Sequence, residues 1–172
     1  RITSRPIHKE IIMGLTMVKK AAAYVNWSIG ILDEDIKGAI VKACDEILEG
    51  KLHDQFIVDS IQGGAGTSMN MNANEVIANR AAEILGGTKG DYKLVSPNDH
   101  VNECQSTNDV VPTAGKIATI NLLHMLLNRL DAFKSILTIK DTEFDGIIKM
   151  GRTQLQDAAP MTLGQEFTAY SS

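Results

Sequence analysis

Residues 117–137 read IATINLLHMLLNRLDAFKSIL. Ile117, Ile120, Leu123, Leu127, Leu130, Phe133 and Leu137 recur at spacings of three, three and four, the repeat of one helix face. Leu122 and Leu126 widen the stripe. A helix this long and this apolar belongs in a bundle or at a contact between subunits. Two shorter helical patterns precede it. Ile11, Leu15, Val18, Ala22, Val25 and Ile29 mark one face of the first. The second runs from about Asp33 to Glu49 with Ile36, Ile40, Ala43 and Ile47 apolar. Asp33, Glu34 and Asp35 fall in its first turn, where the helix dipole favours them, and Gly50 stops it. Phe56-Ile57-Val58 reads as a short strand or a turn, and Glu75 to Leu85 as a helix ended by Gly86. Alternating β-branched runs are few, so the expected fold class is mainly α. Residues 1–104 read as an N-terminal helical domain and 105–172 as the beginning of a central helical-bundle domain. There is no internal repeat.

The 172 residues are 44 % hydrophobic and 22 % charged, the profile of a soluble globular protein. Disorder, collagen and disulfide scaffolds are excluded by composition. The formal charge is −4 and the longest basic run is Lys19-Lys20, so no basic field invites nucleic acid. Cys44 and Cys104 have no ligand spacing around them and suit a reducing cytoplasm. Arg1 to Glu10 is polar and contains Pro6, unlike a signal peptide. No apolar stretch is expected to reach the ~20 residues of a membrane span. The missing initiator Met, and a helix-like pattern still running at Ser172, lead us to expect a fragment.

The chemistry-bearing segments lie between the helices. Gln62 to Asn74 is rich in Gly, Ser, Thr and Asn and feeds the helix beginning at Glu75. Ser96 to Asn108 enters the long helix near Pro112. Gly151 to Ala159 precedes Pro160, placed to start a last helix. All three are expected to end at a helix N-terminus, where free N–H groups and the dipole make an anion site. If the loops converge, they form a neutral, donor-rich pocket for a small carboxylic acid. Taken one at a time, such loops are usually caps and turns. The Gly-rich loop lacks the Gly-Lys-Ser/Thr ending of a phosphate cradle, and no GxGxxG is present. His8, His53, His100 and His124 have no metal spacing. His124 reads as a packed or capping residue, and His100 as either an orienting or a functional one.

Three blocks resemble the aspartase/fumarase superfamily of elimination enzymes: Gly63 to Asn72; Asn98 to Asn102 running on through Gln105-Ser106-Thr107-Asn108-Asp109; and Gly151 to Ala158. The similarity extends from about Lys19 to the last residue. Fumarases of this class typically read Ser-Gly-Thr-Gln-Thr-Asn where this chain has Ala65-Gly66-Thr67-Ser68-Met69-Asn70. They read Ser-Gln-Ser-Ser-Asn against Cys104 to Asn108, and Thr-His against Thr153-Gln154. All three departures point to the aspartase branch.

The resemblance implies elimination of ammonia from L-aspartate to give fumarate, without an organic cofactor; no residue is assigned as a metal ligand. It implies that Thr67, Ser106, Thr107, Asn108 and Thr153 hold the substrate carboxylates. Gln154 sits where fumarases place a histidine. Asn98 and Asp99 fall in a segment that contributes a second dicarboxylate site in fumarases, but Ser96 replaces its histidine and that function is not carried over. The general base of the family is a serine on a Gly-Ser-Ser loop, expected beyond Ser172, so no catalytic residue is assigned here and the chain alone is expected to be inactive. The family is a cytoplasmic homotetramer whose active sites each draw on three subunits. Two alternatives stand beside this reading: a fumarase or other lyase of the superfamily, and a non-catalytic structural or assembly protein.

Overall fold

A computed structural model describes residues 3–172; Arg1 and Ile2, at the start of the polar opening segment, lie outside the described residues. The elements in order are α1 (Lys9–Ser28), α2 (Glu34–Leu48), a 3-10 turn (His53–Gln55), α3 (Thr67–Ile84), a π-helical turn (Pro97–Val101), α4 (Thr107–Phe144), β1 (Ile148–Thr153), β2 (Gln156–Thr162) and α5 (Leu163–Ser171). The fold is mainly α, as the sequence led us to expect. The chain divides into two compact units, residues 1–121 and 122–172, with the division inside α4. The boundary read from the sequence, 104/105, lies ahead of that helix.

In the first unit, α2 behaves as its pattern requires. Ile40, Ala43, Cys44 and Ile47 are fully buried, and Gly50 ends the helix region at φ +93°. Opposite them α3 presents small residues, Ala73, Ala78, Ala81 and Ala82, together with Ile77. The small side chains let two helices approach closely without cavities. Burial forces the Cys44 thiol up to about 12, which makes it an inert core residue.

Three local expectations are revised. Helix α1 buries Ile12, Leu15, Thr16, Lys19, Ala23 and Asn26; of the predicted stripe Leu15 is buried, Ile11 and Val18 pack against the core, and Val25 and Ile29 are exposed. The polar members Lys19 and Asn26 face inward because they satisfy the second loop. Helix α3 starts at Thr67 rather than Glu75, because Gly66 at φ +82° turns the chain and its carbonyl already accepts the first helical bond, from the Asn70 N–H at 3.0 Å. Phe56-Ile57-Val58 is not a strand; Phe56 simply buries its ring after the 3-10 turn.

Helix α4 enters the first unit through Val110, Ala114 and Ala118, all buried. It crosses α1 so tightly at Gly14 that a Cβ there would lie 2.5 Å from the Ala114 carbonyl oxygen. It starts at Thr107, and Pro112 sits inside it rather than at its entrance. Contrary to the sequence expectation, α4 is long and apolar enough by length and composition to cross a membrane.

In the second unit, Leu123, Leu127, Leu130, Phe133, Ile136 and Ile139 of α4 are exposed while Leu137 is buried. His124 is exposed, neither packed nor capping. The third polar segment is not a loop feeding a helix. It is an antiparallel hairpin in which Met150 pairs with Pro160 and Thr153 with Gln156. Pro160 therefore sits in β2, and α5 begins at Leu163 with Thr162 and Gln165 forming a capping box. Phe144 and Phe167 pack as a tilted pair with ring centroids 5.4 Å apart, tying α5 to the end of α4.

The Gly14 crossing gives a direct test. Gly14→Ala must displace backbone rather than a side-chain tip, so overpacking should lower the unfolding free energy by about 1–3 kcal/mol. Urea denaturation of the wild-type and variant chains measures it; an unchanged midpoint would mean that the crossing is looser than described.

Candidate active site

The centre of the first unit is polar where its helices meet the second loop. Lys19 on α1 is fully buried. Its Nζ donates to Asn102 Oδ1 at 2.8 Å. The same oxygen accepts from Asn70 Nδ2 and from Asn74 Nδ2, each at 3.1 Å. Asn102 Nδ2 in turn donates to the Gln105 carbonyl at 3.1 Å, which fixes the orientation of the Asn102 amide. Gln105 Nε2 donates to the carbonyls of Val101 and Glu103, and Asn26 Nδ2 donates to that of Glu103. Buried amides and one amine thus hold the segment 101–105 in a shape that places α4's first residue beside α3.

That contact is explicit. Asn70 Nδ2 donates to Thr107 Oγ1 at 3.1 Å, linking the first turns of α3 and α4. Gly66 reinforces it, since a Cβ there would meet Val111 at 3.0 Å. The first two sequence segments therefore converge. Ser106 Oγ accepts from the Asn108 N–H at 3.2 Å and its carbonyl accepts from Asp109 and Val110, so it caps α4. Thr67, Ser106 and Asn108 are exposed and Thr107 is half-buried. These four donors surround the N-terminal ends of two neighbouring helices, a setting that suits carboxylate oxygens.

Thr153 and Gln154 belong to the second unit, at the exposed tip of the hairpin. Gln154 and Leu155 both take positive φ, +50° and +63°, as a two-residue hairpin turn requires. Neither is glycine or asparagine, so the turn holds backbone strain. Leu155 is 97 % exposed.

Other candidates close upon themselves. Ser96 Oγ donates to Asp99 Oδ2 and accepts from the Asp99 N–H. His100 Nδ1 accepts from the Ser96 N–H, and His8 caps α1. A groove of about 300 Å³ lined by Asn72, Glu75, Asn79, Arg80 and Glu83 contains a guanidinium, but Arg80 is committed to Glu46 and Glu83. Among the described residues no cluster of His, Cys, Asp or Glu could hold a metal ion.

Sequence reasoning missed Lys19, Asn70, Asn74 and Asn102 as a unit. Their only signal was spacing: Asn70 and Asn74 stand four apart on the helix face that carries Ala73 and Ile77.

Residues 2–172 match the lyase family along nearly the whole chain. The chain belongs to that family. It is 63 % identical over 170 residues to the aspartate ammonia-lyase of Bacillus subtilis (strain 168), covering 99 % of this chain and 36 % of that protein. The structure resembles the native-form crystal structure described as fumarate lyase:delta crystallin from Brucella melitensis, with TM-score 0.90 and 50 % identity over 98 % of this chain and 40 % of that one. It also resembles a recombinant class II fumarase from Schistosoma mansoni, with TM-score 0.82 and 38 % identity over 98 % of this chain and 36 % of that one. This lyase-family chain spans about a third of the length of its curated relatives.

Burial lowers the Lys19 ammonium to about 7 by stripping its hydration. The unfolded chain keeps that proton up to about pH 10.4, so between these values the unfolded state binds more protons than the folded one. Folding stability attributable to Lys19 therefore rises with pH from about 7 toward 10. The stability of wild type relative to Lys19→Met should climb across that window in urea titrations at stepped pH. A pH-independent difference would contradict the buried, desolvated amine.

Proposed function

We propose that this chain is the substrate-binding third of an aspartate ammonia-lyase, which eliminates ammonia from L-aspartate to give fumarate. The observation that carries the reading is the donor set at the first turns of α3 and α4. There Thr67, Ser106, Thr107 and Asn108 stand in or beside two neighbouring helix starts, which the Asn70–Thr107 bond ties to a buried amide network. High identity to ammonia-lyases supports it, and favours ammonia over water as the leaving group.

In the reaction, a base takes the proton from the carbon beside the β-carboxylate. The C–H electron pair moves into that carboxylate, giving an aci-carboxylate with extra negative charge. The pair then returns to form the C=C bond as the C–N bond breaks and nitrogen leaves with its electrons. Hydroxyl and amide donors aimed at the developing charge stabilise it more than the ground state. Thr67, Ser106, Thr107 and Asn108 are the donors of the first unit, and Thr153 is the donor of the hairpin, with Gln154 beside it. The base is a serine outside these residues. No organic cofactor is required by this chemistry.

The exposed apolar face of α4 belongs in a helical bundle of a cytoplasmic homotetramer rather than in lipid. Arg129 and Asp131 interrupt it, and charges at that depth in a bilayer are costly.

The test is fumarate formation from L-aspartate, followed by the absorbance of the conjugated product, in the complete protein carrying this chain. Asn108→Ala and Thr153→Ala should each lower kcat/KM by ~10²-fold or more, the usual cost of losing an oxyanion donor. Unchanged rates would contradict the assignment. The 172-residue chain assayed alone should form no fumarate, and robust turnover by it would refute an external base.

A further inference from the structure

We propose that Asn70 is a positioning residue that makes the Thr107 hydroxyl a hydrogen-bond donor toward substrate. This deepens the reading of Thr107 as a carboxylate ligand and rests on it. Asn70 is 1 % exposed and both protons of its Nδ2 are directed. One goes to Asn102 Oδ1 and the other to Thr107 Oγ1, each at 3.1 Å. A threonine hydroxyl has a single proton and accepts through its oxygen lone pairs. With Asn70 donating to that oxygen, the Thr107 proton points elsewhere, and among the described residues it meets no protein acceptor. It is available to a carboxylate.

The orientation of Asn70 is enforced from below. Rotating its amide by half a turn would set Asn70 Oδ1 against Asn102 Oδ1. That oxygen cannot donate, and it already accepts from Lys19 Nζ and Asn74 Nδ2. Asn102 cannot turn either, because its Nδ2 is engaged by the Gln105 carbonyl. The polarity of the Thr107 hydroxyl is thus set by a relay of fixed amides starting at Lys19. The cost is visible in Asn70 Oδ1, which is buried without a protein partner. A carbonyl oxygen left unpaired is tolerated so that the amide's two donors face the required way.

A double-mutant cycle in the complete protein separates positioning from packing. Thr107→Ala and Asn70→Ala are each expected to lower kcat/KM for L-aspartate by about 10- to 100-fold. The double variant should be no more than about 3-fold worse than Thr107→Ala, because Asn70 acts through that hydroxyl. Losses that multiply, or an Asn70→Ala variant with wild-type kcat/KM, would overturn the proposal. If Thr107→Ala itself is silent, the ligand role of Thr107 fails and the proposal falls with it. Asn70→Asp covers the case in which the alanine variant does not fold. As a carboxylate it keeps the volume but can only accept, so it captures the Thr107 proton. Activity per folded molecule should then fall at least as far as in Asn70→Ala, whereas wild-type activity in Asn70→Asp would show that shape alone matters.

Discussion

Three donors converge on one oxygen. Lys19 Nζ, Asn70 Nδ2 and Asn74 Nδ2 all point at Asn102 Oδ1, and each comes from a helix of the first unit. Removing that oxygen would leave an amine and two amide N–H groups buried without an acceptor, at a cost of several kcal/mol in all. The second loop is therefore bound to α1 and α3 by a polar contact as well as by the apolar packing of Val101. Everything placed by that loop, including the first turn of α4, inherits the position. The apolar core of α2 and α3 makes the unit stable, and the amide cluster makes it specific.

This division of labour explains how a site made of neutral donors can be rigid. Hydroxyls and side-chain amides are weak individually and rotate freely in water. Here Ser106 caps α4, Gly66 packs its turn against Val111, and Asn70, itself held by Asn102, bonds Thr107. Donors fixed before substrate arrives need no reorganisation when charge develops, which is where their contribution to a rate lies. Burial of Lys19 belongs to the same design. A desolvated amine near neutrality can donate to an amide oxygen without bringing a full unscreened charge into the core.

How much of this the sequence discloses depends on whether burial and hydrophobicity coincide. They coincide in α2, where Ile40, Ala43 and Ile47 are both apolar and inward, and the helix was legible to within a residue or two. They part company in α1. Val25 and Ile29 look like core but are exposed, while Lys19 and Asn26 are polar and buried, so the periodicity gave the helix and only the part of its face around Ile11, Leu15 and Val18. The hairpin 148–162 left almost no trace. Its strands cover no core, so no alternation marks them, and its turn uses Gln154-Leu155 where Asn-Gly would have announced it. Pro160 then imitated a helix start. The donor residues themselves were legible through the resemblance of their blocks, but the asparagines that orient them read as ordinary loop and cap residues. Their role exists only in the pairing of α3 with the loop ahead of α4, which no local pattern records.

The account holds that this donor cluster serves removal of ammonia rather than of water. The most direct measurement is the initial rate of fumarate formation by the complete protein from L-aspartate and, in parallel, from L-malate. The expected result is rapid fumarate formation from L-aspartate and little or none from L-malate. Preference for L-malate would contradict the account and make the protein a fumarase built on the same helical frame.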